Sequence, residues 1–239
     1  MTNWFLALSF LLSLNSFAQP HRGLILPTVD SMRYNEAYCC VLSPANGFQV
    51  YDQPNGRAIA VLKRVGNADQ DDQVPFRLSL VAGKQKTRFA QFREIEYDLH
   101  AINYIDSVNG FIRIGDSLKS YWLSVSELLQ QGFKPVSWME VMMKQCEQDL
   151  HFLANEPGLR LRKEPHTGSE VIGLVRGDLF QIRLSREYNG LWNKVKVQKL
   201  KRDPCESGMD DNIEFEWEGW LKVIDDSGEP NLWRYTRGC

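Results

Sequence analysis

Residues 158–178 read GLRLRKEPHTGSEVIGLVRGD, and residues 47–66 read GFQVYDQPNGRAIAVLKRVG. Each stretch opens on a glycine, alternates apolar with polar residues, reaches a proline, turns at a glycine and resumes as an apolar run. Alternation with period two is typical of β-strands, and Gly and Pro mark the turns between them. One chain therefore carries the same series of strand and turn signals twice, which predicts a duplicated β-unit.

Three further landmarks recur in the same order in both halves of the chain. They are AIAVLK (58–63) and VIGLVR (171–176), Asn-Gly at 109–110 and 189–190, and Trp-Leu at 122–123 and 220–221. Asn-Gly between apolar-alternating segments is a strong hairpin signal, because both residues tolerate positive φ. Landmarks in register predict that the second half repeats the fold of the first. The aligned Trp122 and Trp220 are predicted to lie in the two cores.

The two copies differ in where they carry extra chain. The first copy has an inserted hairpin at about 66–100, in which Leu78 and Leu80 share a face and Gly83-Lys84 turns into a second extended segment, RFAQFREIEYD (88–98). The second copy sets KVKV (194–197) against EFEWE (214–218), which predicts a long hairpin with one apolar and one charged face and a tip at about 201–212. Its lysines either pair with the facing glutamates or form a basic strip for an anionic polymer.

Between the copies, Ser137 stands three residues before Glu140, a capping box that predicts a helix start. The apolar residues that follow form one helical stripe: Trp138, Met139, Met142, Met143, Cys146 and Leu150. Such a stripe packs against the neighbouring units, or it forms an adaptable groove for a partner.

The N-terminal residues have the pattern of an export signal. The apolar run from Trp4 to Leu14 is followed by small residues suited to cleavage after Ala18, and it is too short for a membrane helix. We therefore expect an exported chain with no membrane span after cleavage. Export favours disulfides, and we expect a bond between Cys205 and Cys239. The other three cysteines, Cys39, Cys40 and Cys146, are not assigned a partner.

Composition and motifs argue against several classes of function. A formal net charge of −2 gives no global basic field, so nucleic acid is not an expected partner. The histidines occur in no recognisable Cys–His signature and no metal-ligand spacing; they are His21, His100, His151 and His166. We therefore expect no catalysis, no metal and no cofactor. An enzyme would need a cleft that joins Cys146 or Cys205 to His151.

The second copy, from GLRLRKEP through VIGLVRGDLFQIRL and YNGLWNKVKV to EGWLKV, resembles the bacterial SH3 domain over about 158–223. The first copy resembles it more faintly over about 47–128, and it has Tyr51-Asp52 where the family has Arg-Ser. The resemblance implies a mainly β protein of two tandem SH3-like small β-barrels joined by a helical linker. The expected parts are a signal peptide (1–18), an N-terminal extension (19–36), a first barrel (37–128), the helical linker (129–152) and a second barrel (153–239).

Members of this family are mostly exported and often bind cell-wall peptidoglycan. The resemblance thus implies a periplasmic or secreted bacterial binding protein that recognises peptidoglycan or a short extended peptide, with the second barrel as the better binder. The alternative is a structural module that holds an envelope protein. The expected ligand-binding residues are Tyr51, Arg162, Tyr188, Trp192 and Trp217.

Overall fold

The computed structural model describes residues 22–29, 41–65, 77–96, 99–115, 119–146, 150–203 and 212–234. The strands before the first helix are β1 (Gly23–Pro27), β2 (Phe48–Tyr51), β3 (Ala58–Val65), β4 (Arg77–Ala82), β5 (Gln85–Arg88), β6 (Phe92–Glu96), β7 (Leu99–Tyr104), β8 (Asp106–Val108), β9 (Phe111–Gly115) and β10 (Ser120–Ser124). The remaining elements are α1 (Val125–Gln130), β11 (Phe133–Ser137), α2 (Trp138–Cys146), β12 (Phe152–Ala154), β13 (Leu159–Arg162), β14 (Val171–Val175), β15 (Phe180–Asn189), β16 (Trp192–Leu200), β17 (Ile213–Lys222) and β18 (Leu232–Arg234). The predicted mainly β class is confirmed.

The strands form three antiparallel sheets. The N-terminal sheet has the order β5-β4-β3-β2-β10-β9-β8, the small sheet β11-β1-β7-β6, and the C-terminal sheet β14-β13-β17-β16-β15-β12-β18. Within the described ranges none of these sheets closes into a barrel. The same ranges contain no helix that is both long and apolar enough to cross a bilayer.

The two large sheets share a five-strand arrangement. In the N-terminal sheet it is β3-β2-β10-β9-β8, and in the C-terminal sheet it is β14-β13-β17-β16-β15, with the strands in the same chain order. The register also matches, because Tyr51 pairs with Trp122 in one sheet and Arg162 pairs with Trp220 in the other. Both β2–β3 and β13–β14 carry a one-residue irregularity immediately before Tyr51 and Arg162. The sequence repeat therefore corresponds to a repeated strand arrangement.

The two predicted Asn-Gly turns differ in their position. Asn109 and Gly110 both have positive φ, of 49° and 78°, and they connect β8 to β9 as expected. In the second copy Asn189 is still paired with Trp192, so the loop consists of Gly190 and Leu191. Only Gly190 in that loop has positive φ, which is the pattern of a turn with glycine at its first central position.

The Trp-Leu pairs place their leucines, not their tryptophans, in the cores. Leu123 and Leu221 are fully buried, whereas Trp122 and Trp220 are half-buried on the opposite face of their strands. The prediction that the two tryptophans form the cores is therefore wrong. The physical reason is that neighbouring residues in a strand point to opposite faces, so only one member of an apolar pair can face the core.

The small sheet is the part of the fold that the sequence did not predict. Strand β1 lies in the N-terminal extension and pairs along its whole length with β11, more than a hundred residues away in sequence, from Gly23–Ser137 to Pro27–Phe133. The segment 129–152, predicted as a helical linker, is therefore only partly helical. Strand β11 includes Pro135, which sheets tolerate because β11 lies at an edge.

Helix α2 begins as the capping box predicts. The backbone N–H of Glu140 donates to Oγ of Ser137 at 3.2 Å. Trp138 and Met142 are buried, and the thiol of Cys146 donates to the backbone carbonyl of Leu184 at 3.1 Å. The apolar stripe of α2 thus packs against the small sheet and β15, which confirms the packing interpretation of this helix.

The predicted long hairpin is present as β16 and β17. Val195 and Val197 are buried on one face, and the facing Phe215 and Trp217 are half-buried. The insert of the first copy turns at Gly83-Lys84 as expected, with Leu78 and Leu80 buried, but the second strand of its hairpin is β5. The segment expected to pair there, 88–98, instead contains β6 of the small sheet. Four further expectations concern residues outside the described ranges: the signal peptide, most of the tip at 201–212, the Cys205–Cys239 disulfide, and Cys39 and Cys40.

Candidate functional site

The candidate site is the face of β13, β14 and β17 that points away from the core, here called the outer face. Leu161 of β13 is fully buried, so its neighbours Arg160 and Arg162 lie on the outer face. Their cross-strand partners on β14 are Leu174 and Val171. Trp220 of β17 pairs with Arg162 from the other side. The outer face therefore includes Arg160, Arg162, Val171, Leu174 and Trp220.

The outer face exposes apolar side chains beside positive charge. Val171 is 44% exposed and Leu174 is 51% exposed. Arg160 is exposed, and none of the described residues forms an ion pair with it. Arg162 is half-buried and donates from Nη1 to the backbone carbonyl of Ser169 at 2.6 Å, which fixes it against the loop before β14. Such a surface suits a ligand that has apolar groups and a negative charge.

The equivalent face of the N-terminal sheet is contacted by helix α1 of the first copy. Tyr51, the equivalent of Arg162, donates its hydroxyl to Oε1 of Glu127 on α1. Its ring also makes an edge-to-face contact with Phe111, with ring centroids 5.7 Å apart. Beyond β3, the sheet continues into β4. The prediction that Tyr51 binds a ligand therefore gains no support from its surroundings.

The Tyr51–Glu127 hydrogen bond makes the free energy of unfolding depend on pH in the alkaline range. The bond, and to a smaller extent burial and the charge of Glu127, raise the pKa of Tyr51 from 10.0 to about 12. Because the folded pKa is the higher one, this contribution is complete below pH 10 and is lost as pH rises through about 12. We expect Tyr51→Phe to make the free energy of unfolding less dependent on pH between those values. Urea titrations across this range will test it, and an unchanged pH dependence would contradict it.

The structure does not bring the other predicted ligand residues together with Arg162. Tyr188 is 59% exposed, but it lies on β15, at the opposite side of the five-strand arrangement from β14. Trp192 is buried and has little surface for a ligand. Trp217 points to the core face and packs in an aromatic cluster with Phe180 and Phe215, at centroid distances of 6.0 and 4.5 Å. Of the five predicted residues, only Arg162 lies on the outer face.

The lysines of the β16–β17 hairpin pair with the facing glutamates. The ion pairs are Lys194–Glu218 at 3.0 Å, Lys196–Glu216 at 2.8 Å and Lys199–Glu214 at 4.0 Å. The pKa of Glu216 is lowered by the hydrogen bond from Gln198 and by Lys196. These contacts favour mutual pairing over a basic strip for an anionic polymer.

The histidine and cysteine side chains that the structure describes have local partners. Arg183 donates from Nε to Nε2 of His151 at 2.7 Å, and His166 lies 3.1 Å from the carboxylate of Glu164. No group of three or more His, Cys, Asp or Glu in the described ranges is arranged to hold a metal ion.

Comparison with known proteins gives no family assignment. No family model matches the chain, and no curated protein or solved structure is significantly similar to it.

Sequence reasoning missed four residues of the outer face. Arg160, Val171, Leu174 and Trp220 were not among the predicted ligand residues. A comparison of the aligned segments could have identified the first three of these residues. Arg160 stands where the first copy has Gln49, and Val171 and Leu174 stand where it has Ala58 and Val61. The second copy is thus larger, more apolar and more basic at positions where a strand faces outward.

Proposed function

We propose that this chain is an exported, non-catalytic bacterial binding protein with two SH3-like units, and that its second unit binds a cell-envelope ligand at the outer face. The ligand is peptidoglycan or a short extended peptide. The proposal is supported by the resemblance to bacterial SH3 domains and by the signal-like N-terminus. The observation that carries it is the difference between the copies: helix α1 contacts this face at Tyr51 in the first copy, whereas the described residues place no helix against Arg162 in the second.

That difference follows from what comes after the last repeated strand in each copy. In the first copy, β10 leads directly into α1, whose Glu127 accepts the Tyr51 hydrogen bond. In the second copy, β17 leads into a turn at 225–228 and then into β18, which pairs with β12 at the far edge of the sheet. The second unit therefore places no equivalent of α1 over Arg162 and Trp220 within residues 212–234.

A partner groove on the Met-rich helix is not part of this proposal. Met142 is buried, and Sδ of Met143 lies 3.8 Å from Nδ2 of Asn193 on β16. The apolar stripe of α2 is thus used to hold the sheets together. A protein partner of the envelope, the alternative function, would have to contact another surface.

Retention on purified cell-wall sacculi will test the proposal. We expect residues 19–239 to be retained and Arg160→Glu to weaken retention about tenfold or more, because reversing one charge that contacts a ligand costs about 1.5–3 kcal/mol. Arg186→Glu is the matched control, since Arg186 is also exposed and no described residue forms an ion pair with it.

Two results would contradict the proposed site or function. Equal loss from both arginine variants would mean that any positive charge suffices, and the outer face would not be the site. No retention of the unmodified chain, under conditions in which an unrelated wall-binding domain is retained, would exclude wall binding.

A further inference from the structure

We propose that β14 binds an extended segment of a partner polypeptide by strand addition, in which the segment becomes the next antiparallel strand of the C-terminal sheet. This inference deepens the proposed function, on which it rests, because it names the ligand class as polypeptide rather than glycan. Edge strands offer unpaired backbone N–H and C=O groups, and recognition by strand addition uses those groups for affinity and side chains for specificity.

Strand β14 differs from every other edge strand that the structure describes. Edge strands normally carry charge or proline, or are very short, because an exposed edge can pair with other chains. The other edges follow this rule: β5 has Lys86 and Arg88, β6 has Arg93, Glu94 and Glu96, β11 has Lys134 and Pro135, and β8 and β18 have three residues each with Asp106 and Arg234. Strand β14 reads VIGLV, with no charge and no proline.

The side chains of β14 add to this difference. The described residues include six large apolar side chains that are exposed, and Val171 and Leu174 of β14 are two of them. Among the strands in the described ranges, β13 alone pairs with β14. The strand is also held rigidly, because Gly173 lies under the indole of Trp217: a Cβ at Gly173 would be 2.5 Å from Cζ3 of Trp217. An unprotected edge that is both apolar and fixed in position favours docking of a strand.

The first copy contains an example of the proposed arrangement. Leu62 pairs with Phe48 in the same way that Val175 pairs with Leu159, so β3 and β14 are equivalent strands. Strand β3 carries β4 on its free side, antiparallel, in five pairs that run from Val61–Val81 to Val65–Arg77. The first two of these β3 residues, Val61 and Leu62, have equivalents on β14, which are Leu174 and Val175. This edge of the repeated unit therefore accepts an apolar antiparallel strand in the first copy, and the described residues of the second copy do not supply one.

Charge and size favour a separate partner segment over a second copy of this chain. An antiparallel pair of β14 strands would bring no carboxylate to Arg160, because β14 itself has no acidic residue, whereas a partner segment can supply one. A five-residue strand is also only about 17 Å long, so its contact lies far below the roughly 1,200 Å² that a stable interface buries. The favoured occupant is an extended segment with alternating apolar residues and a carboxylate near Arg160.

Hydrogen exchange of the whole chain with two synthetic peptides will test this inference. The probes are RLSLVA, the sequence of β4, and RLSLEA, which places a carboxylate at the position of Val81. Val81 pairs with Val61, whose equivalent Leu174 pairs with Arg160, so this carboxylate lies on the same face as Arg160. We expect each peptide to slow amide exchange at residues 173–175, with RLSLEA effective at lower concentration. A version of RLSLEA that is N-methylated at alternate amides keeps its side chains but cannot form the ladder, and we expect it to give no protection.

Two matched variants locate the peptide on the chain. Leu174→Lys places a charge on the proposed edge, and we expect it to weaken peptide binding at least tenfold. Leu129→Lys is the control, because Leu129 on α1 is 53% exposed and Leu174 is 51% exposed. We expect Leu129→Lys to bind both peptides as the unmodified chain does.

The following outcomes would contradict the inference or the proposed function. Absence of protection at 173–175, or equal protection by the N-methylated peptide, would exclude strand addition. Protection of 171–175 that rises with protein concentration without peptide would assign the edge to a second copy of the chain. If sacculi still retain the chain while the peptides give no protection, the proposed function stands and only the strand-addition inference fails. If the peptides protect the edge strand but sacculi do not retain the chain, wall binding is excluded and the peptide site stands.

Discussion

Replacing Trp138 with alanine is expected to lower the free energy of unfolding by about 3–5 kcal/mol, the usual cost of removing a large buried aromatic side chain. Trp138 is the first residue of α2 and is 2% exposed. Its indole makes an edge-to-face contact with Trp233 of β18, with ring centroids 5.9 Å apart. The substitution would therefore leave a cavity where α2 meets the C-terminal sheet.

The effect is expected to be large because Trp138 also contacts the small sheet. The guanidinium of Arg93 on β6 lies 5.1 Å from the Trp138 ring and 4.9 Å from the Trp233 ring, within the range of cation–π attraction. Burial lowers the pKa of Arg93, which Glu229 partly offsets. Loss of the Trp138 ring would leave a buried positive charge with one aromatic neighbour instead of two.

Two variants separate the cavity from the cation–π contact, with urea unfolding followed by far-ultraviolet circular dichroism. Trp138→Phe keeps an aromatic ring and removes an indole N–H that has no hydrogen-bond partner among the described residues. We therefore expect this variant to lower the free energy of unfolding by less than about 2 kcal/mol. Arg93→Met keeps the apolar stem and removes the charge, at an expected cost of about 0.5–2 kcal/mol. A cost below about 1 kcal/mol for Trp138→Ala would contradict the packing of α2 described above.

The repeat made the two five-strand arrangements predictable from sequence. Alternation with period two identifies strands, and Gly or Asn-Gly turns fix where each hairpin reverses, so β2, β3, β9 and β10 and their second-copy equivalents could be placed. These signals are local, because each of them lies within a single strand or a single hairpin. A local signal that occurs in both copies is stronger evidence than one that occurs once.

The small sheet could not be predicted because its signals are weak and its contacts are distant. Strand β1 is the five-residue apolar run GLILP, which by itself does not distinguish a strand from a buried helical segment. Its partner β11 contains Pro135 and lies in the segment 129–152, which was predicted as a helical linker. Neither β1 nor β11 carries a sequence signal that indicates a partner more than a hundred residues away. A single sequence therefore does not reveal that the N-terminal extension and the linker form one sheet.

The candidate site was predicted in part for a related reason. The alignment of the copies placed Arg162 at the offset of Tyr51, and the register confirms that equivalence. It could not decide which residue of a Trp-Leu pair faces the core, because both are apolar. Which residue faces the core depends on the strands that flank β10 and β17 and on the shape of the core. In both copies the smaller residue, leucine, faces the core.

The glycines that open the two repeats give the second large prediction: Gly47→Ala and Gly158→Ala should each lower the free energy of unfolding by about 2–5 kcal/mol. Positive φ costs a residue with a Cβ about 1–2 kcal/mol, and φ is 76° at Gly47 and 99° at Gly158. Crowding adds about 1–3 kcal/mol, because the new Cβ would lie 2.5 Å from the carbonyl oxygen of Leu62 in one copy and 2.8 Å from that of Val175 in the other.

Gly177→Ala is the matched control, because it separates the backbone cost from the crowding. Gly177 has φ of 77°, close to that of Gly47, and a Cβ there would have no heavy atom within 4 Å. We expect this variant to lose only the backbone contribution of about 1–2 kcal/mol in the same urea titration. Equal losses at all three glycines would mean that the strands do not approach Gly47 and Gly158 closely. A large loss at one repeat glycine alone would contradict the equivalence of the two units, because Leu62 and Val175 occupy corresponding positions in β3 and β14 and crowd the two glycines in the same way.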